Sequence, residues 1–187
     1  VHIDAQAAAM FTNRRAKNDF KERIAVFRPE EYKREVAFHR TLTEFQYALS
    51  NDRITYYLQP QVDMETGEII GAEALTRWID KDGSLIPPAS FIPALEESGF
   101  VVTLDKYIWQ GVASWLRERI DRGLRVVPVS LNVSRVDILA CDVAEHMGAL
   151  AAQYNLPPEL MRIEITETAY TGESEAVDKL TADLHTR

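Results

Sequence analysis

The sequence predicts an α/β domain, and three observations carry that prediction. Strand-like and helix-like segments alternate with short connections from about residue 53 onward. The predicted strands are rich in Val and Ile along their whole length, which is typical of a sheet covered on both faces. A hydrophobic content of 46% and a charged content of 27% fit a globular chain with a substantial core.

The first fifty residues follow a different pattern. Residues 5–18 are Ala-rich and then basic, which predicts a helix, and residues 23–29 read as a short strand. Residues 29–50 form a strongly amphipathic pattern that starts with Pro29 and places glutamates in its first turn, so they predict a long helix. We therefore divide the chain into the end of one module (1–28), a linker helix (29–52) and an α/β domain (53–187).

Each element of the α/β domain has its own signal. The tetrapeptide Met64 to Gly67 predicts a hairpin turn between the first two strands. Val/Ile-rich runs predict strands at 54–62, 69–79, 126–133 and 161–166, and helical periodicity predicts helices at 89–97, 101–121, 143–154 and 173–185. The Pro-rich segment "PPASFIPALEESG" is best explained as a loop and short helix seated on the core, and the three tryptophans as core or interface residues.

Composition and charge exclude several classes of function. A net charge of −8 argues against binding a nucleic acid polymer, although a small phosphate ligand remains compatible with it. No apolar run reaches the roughly 20 residues that span a bilayer, and no signal sequence is recognised. The single cysteine, Cys141, cannot form an intramolecular disulfide and shows no nucleophile partner. We expect a cytoplasmic domain without a membrane segment.

Three polar residues lie on predicted strands, where a ligand site would place them. Glu73 stands well along the second strand, Asn132 near the end of "VPVSLNV", and Glu164 within "RIEITET". Parallel strands converge on the ligand face at their C-terminal ends, and carboxylate and amide oxygens suit Mg²⁺ or Mn²⁺ rather than zinc. Each residue also has a simpler explanation: the two glutamates could be solvated, and the asparagine could cap a turn. The four histidines are scattered and predict no histidine-based metal site.

Five ordered motifs decide between these alternatives. They are "YYLQPQVD", "GAEALTRW", "PPASFIPALEESG", "VSLNVS" and "IEITET". From about Tyr56 onward the chain resembles the EAL domain family, whose name is spelled here by Glu73, Ala74 and Leu75. The resemblance implies a TIM-barrel-like fold that hydrolyses cyclic di-GMP to the linear dinucleotide pGpG with two Mg²⁺ or Mn²⁺ ions.

The resemblance also implies roles for individual residues. Motif by motif, it gives Glu73, Asn132 and Glu164 as metal ligands. It gives Glu73 and Glu167 as catalytic residues, Glu167 by supporting an active-site loop. Gln59 is implied as a guanine contact and Arg77 as a phosphate contact. A guanidinium suits that last role because its fork matches pairs of phosphate oxygens.

The sequence departs from the family pattern in length. A closed eight-stranded barrel takes about 250 residues, and the predicted domain 53–187 corresponds to the first half only. The family's later Asp-Asp-Phe-Gly segment, strand-end lysine and further glutamate do not occur in the sequence, so this chain alone is predicted to be inactive. An EAL-type cyclic di-GMP receptor and a dimerisation module stay open as alternatives. Residues 1–28 loosely resemble the end of a GGDEF domain, and the open sheet edge predicts a homo-oligomer.

Overall fold

The structure is a computed structural model that describes residues 9–13, 27–166 and 174–186. The chain divides into two compact units, residues 1–46 and residues 47–187. The predicted helix at 5–18 falls on the described helical residues 9–13 and otherwise on undescribed ones, and most of the predicted strand 23–29 also lies outside the described residues.

The first unit contains most of helix α1, Pro29–Ser50, which has the predicted bounds. Proline is tolerated at the start because the first backbone N–H groups of a helix have no partner within it. Side-chain pairs three or four residues apart support the helix surface, including Arg40 Nε to Glu44 Oε1 at 2.9 Å. The ring of Tyr32 lies edge-on to Phe11, with 5.4 Å between centroids.

The second unit is built on one sheet with the strand order β1-β2-β4-β5 and a short β3 paired to β2. The strands are β1 Ile54–Val62, β2 Ile69–Ile79, β3 Leu85–Ile86, β4 Val129–Val133 and β5 Met161–Ile165. The first pair is antiparallel, whereas β2, β4 and β5 run parallel. Asp63 Oδ1 accepts hydrogen bonds from the backbone of Glu65 and Thr66, and Gly67 takes a φ of 72°, so the predicted hairpin turn is confirmed.

The helices of this unit are α2 Ile92–Ser98, α3 Val101–Asp121, α4 Arg135–Ala140, α5 Val143–Gln153 and α6 Ser174–Thr186. Helix α3 buries its apolar stripe, including Leu104, Ile108 and Val112. Tyr56 of β1 donates a hydrogen bond from its hydroxyl to the carbonyl of Gly111 at 3.0 Å. A Cβ at Gly111 would lie 3.0 Å from the Tyr56 ring, so the glycine permits this close approach.

Alternation along the strands gives the sheet two different faces. The helix face carries the apolar side chains, and several of its members are completely buried: Val129, Leu131 and Val133 of β4. Trp78 and Phe91 pack edge-on with 5.1 Å between ring centroids, as expected for core residues. The other side is the polar face, made by the alternate positions of each strand: Tyr57, Gln59, Glu73, Leu75, Arg77, Ser130, Asn132, Arg162 and Glu164.

The structure differs from the predicted elements at several places. Strand β4 begins at Val129 rather than at residue 126, because Pro128 has no N–H to donate to the ladder. The predicted helix 89–97 is a 3₁₀ turn, Pro88–Ser90, followed by α2, with Phe91 between them. Helix α4 was not predicted. Among the described residues, no helix is both long and apolar enough to cross a membrane.

Candidate functional site

The polar face brings two of the predicted metal ligands into direct contact. The side-chain amide of Asn132 donates a hydrogen bond to Glu73 Oε1 at 3.0 Å. These two residues are 59 positions apart in sequence, and they meet because β2 and β4 are parallel neighbours. Both side chains are half-buried. This hydrogen bond fixes one Glu73 oxygen and orients the amide of Asn132.

The predicted substrate contacts lie on the same face, along the β1–β2 hairpin. Gln59 is the cross-strand partner of Glu73. Arg77 pairs with Thr55, which lies two residues before Tyr57 on β1. The Arg77 guanidinium lies over the Tyr57 ring, 5.3 Å from its centroid, and one of its N–H groups donates to the Thr76 carbonyl. The tyrosine and the carbonyl therefore hold the arginine on the polar face.

Glu164 occupies the matching position on β5. Its backbone pairs in register with Asn132, and its side chain is exposed. Because paired residues of adjacent parallel strands share a face, Glu164 stands beside Asn132 on the polar face. Glu167, the glutamate expected to support a loop, lies outside the described residues.

The end of β4 is fixed from the helix side. Trp109 of α3 donates its indole N–H to the backbone carbonyl of Asn132 at 3.1 Å, and its ring lies 5.7 Å from that of His146. Burial lowers the pKa of His146, and Lys106 lowers it further, so the neutral imidazole is favoured against the indole. The indole hydrogen bond thus holds the backbone carbonyl of Asn132 in place near the end of β4.

A capping box follows immediately. Ser134 is the N-cap of α4: its backbone N–H and hydroxyl donate to Asp137 Oδ2 at 2.8 and 2.6 Å, and its oxygen accepts from the Asp137 N–H. Both side chains are buried. The box ends β4 and starts α4 within two residues of Asn132.

The donor set on the polar face fits a hard divalent cation. Two carboxylates and one amide oxygen are ligands that Mg²⁺ and Mn²⁺ accept. In the described stretches 9–13, 27–166 and 174–186, no three His, Cys, Asp or Glu side chains come together as a metal cluster. The set of Glu73, Asn132 and Glu164 contains only two carboxylates, so among the described residues it could supply no more than part of the coordination sphere of such a cation.

Several residues around the site were not anticipated from the sequence. Tyr57 and Trp109 act through contacts between distant segments, and no local pattern announces such contacts. Ser134 and Asp137 did carry a signal, since "SRVD" directly after a strand matches the spacing of a capping box.

Comparison with known proteins identifies the family of this chain. The EAL domain model matches residues 42–187, which is most of the chain. The chain belongs to the EAL domain family. This confirms the resemblance seen in the five motifs. The GGDEF-like origin of residues 1–28 stays a prediction.

Curated proteins from several bacteria are similar in sequence. The chain is 33% identical over 121 residues to the signaling protein YkoW of Bacillus subtilis, covering 65% of the chain and 15% of YkoW. It is 32% identical over 136 residues to the cyclic di-GMP phosphodiesterase RocR of Pseudomonas aeruginosa, covering 72% of the chain and 34% of RocR. The chain thus spans about a third or less of the length of these curated relatives.

Solved EAL domains share the fold. The phosphodiesterase MucR in its c-di-GMP complex superposes with a TM-score of 0.68 at 24% identity, over 77% of this chain and 60% of MucR. The FimX EAL domain of Xanthomonas citri in complex with c-diGMP gives a TM-score of 0.71 at 17% identity, over 82% of this chain and 59% of that domain. The predicted TIM-barrel-like α/β fold, covered in part by this chain, is confirmed.

Proposed function

We propose that this chain supplies the first part of a cyclic di-GMP phosphodiesterase site, which hydrolyses cyclic di-GMP to pGpG in the complete protein. The contact between Asn132 and Glu73 at 3.0 Å carries the proposal. It places an amide and a carboxylate together on the face that also bears Gln59, Arg77 and Glu164. Relatives named as cyclic di-GMP phosphodiesterases support the reaction class.

The residues of the polar face have different proposed roles. Glu73, Asn132 and Glu164 would hold Mg²⁺ or Mn²⁺, two ions being expected in the complete site. When bound, such cations offset the charge of the phosphodiester and lower the pKa of the attacking water. Arg77 would bind a phosphate oxygen pair, and Gln59 would bind a guanine edge through its amide. Glu167 would support the loop that follows β5.

The phosphate role of Arg77 agrees with its surroundings. The exposed Tyr57 ring beneath the guanidinium limits its rotation while leaving N–H groups on the open side. Among the described residues, no carboxylate lies within salt-bridge distance of Arg77. An anionic ligand would therefore not have to displace a protein carboxylate.

Two narrower alternatives remain within the same family. An EAL domain could bind cyclic di-GMP as a receptor without hydrolysing it, or act in dimerisation. Retention of Glu73, Asn132 and Glu164 favours hydrolysis in the complete protein, because a receptor has less need of cation ligands. The 187-residue chain by itself is expected to be inactive even with excess Mn²⁺, because the family's later acidic residues and lysine are not part of this sequence.

The testing experiment is Glu73→Ala in a complete protein that contains this domain. We expect loss of pGpG production with Mg²⁺, measured by product chromatography, while the circular dichroism spectrum stays unchanged. Glu65→Ala, in the exposed β1–β2 turn, is the matched control and should keep full turnover. Unchanged turnover in Glu73→Ala would remove that residue from the site.

Self-association of the 187-residue chain is a further part of the proposal. In the described part of the sheet, β5 has a partner on one side only. An apolar groove of about 690 Å³ lies beside it, lined by residues that include Met147, Ile163 and Ile165. An open edge next to an apolar groove favours pairing with another chain. Light scattering with intact-mass measurement tests this, and a monodisperse 21.3 kDa monomer would contradict it.

A further inference from the structure

Helix α3 presents two polar side chains to the β4–α4 junction, one turn apart. Trp109 donates to the Asn132 carbonyl, as described above. Asp105, four residues earlier, has its carboxyl group within hydrogen-bonding reach of the Asp137 carboxyl group on α4, a helix that packs against α3. Residues four apart share a helix face, so both side chains reach the same junction.

The buried carboxylate of Asp137 has one oxygen that needs a hydrogen-bond donor. Asp137 is completely buried, and its Oδ2 accepts both hydrogen bonds from Ser134. Its Oδ1 is equally buried and accepts no hydrogen bond from an N–H or hydroxyl group of the described residues. A buried carboxylate oxygen without a donor is costly, so a proton on a neighbouring group would be strongly favoured.

We propose that Asp105 is a neutral carboxylic acid that donates its O–H to Asp137 Oδ1, and that this acid–carboxylate clasp locks α3 to the junction carrying Asn132. One proton is shared by two carboxyl groups, and the negative charge stays on the capping Asp137. Ser134 and Asp105 then satisfy both oxygens of Asp137. The clasp is a positioning device, because both aspartates lie on helices and neither belongs to the polar face of the sheet.

The charges around Asp105 agree with this state. Burial is the main cause that raises the pKa of Asp105 to about 9, and the charges of Asp137 and of Glu96 on α2 act in the same direction. Lys106, the adjacent cation on α3, acts instead on Cys141 and His146. Within the described part of the chain, no cation lowers the pKa of Asp105, so a retained proton is the available way to neutralise one of the two facing carboxyl groups.

The clasp makes stability depend on pH in a defined direction. The unfolded chain releases the Asp105 proton above its ordinary pKa of 3.8, whereas the folded chain keeps it to about pH 9. The folded state therefore holds one more proton in that window. The contribution of Asp105 to stability is complete below the unfolded pKa and is lost as pH rises towards 9.

Comparing Asp105→Asn with Asp105→Ala separates the effect of the shared proton from the effect of side-chain packing. The asparagine amide can still donate to Asp137 Oδ1, but it does not titrate, whereas alanine provides no donor. Relative to Asp105→Asn, we expect the wild-type folding constant to fall by about ten-fold per pH unit across the middle of the window. Urea unfolding at a series of pH values, in a complete protein that contains this domain, measures this ratio.

A second readout observes the junction itself. Amide hydrogen exchange at Ser134 and Asp137 should accelerate at least about ten-fold in Asp105→Ala, because one lost hydrogen bond of about 1.4 kcal/mol corresponds to that factor. Asp105→Asn should exchange close to wild type. If the alanine variant does not fold, the comparison of wild type with Asp105→Asn still decides.

Direct titration completes the test. With ¹³C-labelled aspartate, the Asp105 carboxyl signal, assigned by its absence in Asp105→Asn, should not titrate between pH 3 and 7. Titration near the ordinary pKa would overturn the proposal, and so would an identical pH profile in wild type and Asp105→Asn. Ionisation of Asp105 on addition of 10 mM Mg²⁺, seen as a shift of its carboxyl signal, would also overturn the proposal. These measurements need no cyclic di-GMP, so their outcome is independent of the proposed phosphodiesterase function.

Discussion

The two faces of the sheet in residues 47–187 are made by the same strands and differ in every other respect. On β4, Val129, Leu131 and Val133 are completely buried against helices, whereas the alternate residue Asn132 contacts Glu73 on the polar face. Apolar burial is the main favourable term in folding, and half-buried polar groups contribute little net stability. The helix face therefore holds the domain together, and the polar face is available for a ligand.

This difference teaches where a substitution should act. A change on the helix face should lower the free energy of unfolding while leaving the arrangement of the site intact in molecules that remain folded. A change on the polar face should do the reverse. The junction at the end of β4 links the helix face to the polar face. Trp109 and the capping box connect α3 and α4 to the backbone beside Asn132.

The largest expected effect on stability is that of Leu131→Ala. Leu131 is fully buried on the helix face, and removing such a side chain costs about 2 to 5 kcal/mol of unfolding free energy. Leu75→Ala is the matched control, because Leu75 lies on the polar face and is only half-buried. Urea unfolding should show a clearly smaller loss for the control. Equal losses would mean that the two faces contribute alike.

Trp109→Phe should have an intermediate effect. The phenyl ring keeps most of the buried area, but the Asn132 carbonyl loses its indole donor. Leaving a buried polar group without its partner costs about 1 to 3 kcal/mol. We expect lower stability by chemical denaturation together with faster exchange at the end of β4.

Trp78→Phe is the control for loss of aromatic area, since Trp78 is buried on the helix face away from Asn132. It should destabilise without a local change at Asn132. If exchange at the end of β4 responds equally to both substitutions, the indole hydrogen bond has no special part in holding the junction.

Ser134→Ala should produce the smallest of these three losses. The substitution removes the hydroxyl that donates to Asp137 Oδ2 and accepts from the Asp137 N–H. Loss of such a cap costs about 1 kcal/mol. The exposed Ser90 offers the control substitution Ser90→Ala, which should change the denaturation midpoint less. An effect at Ser134 no larger than at Ser90 would show that the capping box does not stabilise the junction.

The fold was predictable from the sequence to the extent that its signals are local. The bounds of β1, β2, α1 and α3 follow from periodicity, from Pro29 and from the turn before Gly67. Helix α4 was missed because six residues are too few for helical periodicity, although its capping box was readable. The start of β4 was placed too early because Pro128 was not weighted as a missing donor.

The candidate site was predictable mainly through its motifs. Alternation places Glu73 and Arg77 on one face, but only the parallel pairing of β2 with β4 brings Asn132 to Glu73. The Tyr57–Arg77 contact and the facing carboxyl groups of Asp105 and Asp137 depend on tertiary packing, which no local pattern contains. Glu167 stays a prediction.

The most direct test of the separation between the faces compares Glu73→Gln with Leu131→Ala in a complete protein that contains this domain. Both the free energy of unfolding and the Mg²⁺-dependent turnover of cyclic di-GMP per folded molecule are measured on the same samples. Glutamine keeps the oxygen that accepts from Asn132, so Glu73→Gln should change stability by less than about 0.5 kcal/mol and abolish turnover. Leu131→Ala should lose about 2 to 5 kcal/mol and retain turnover. Retained turnover in Glu73→Gln, or its loss in folded Leu131→Ala, would contradict the division of the sheet into a stabilising face and a catalytic face.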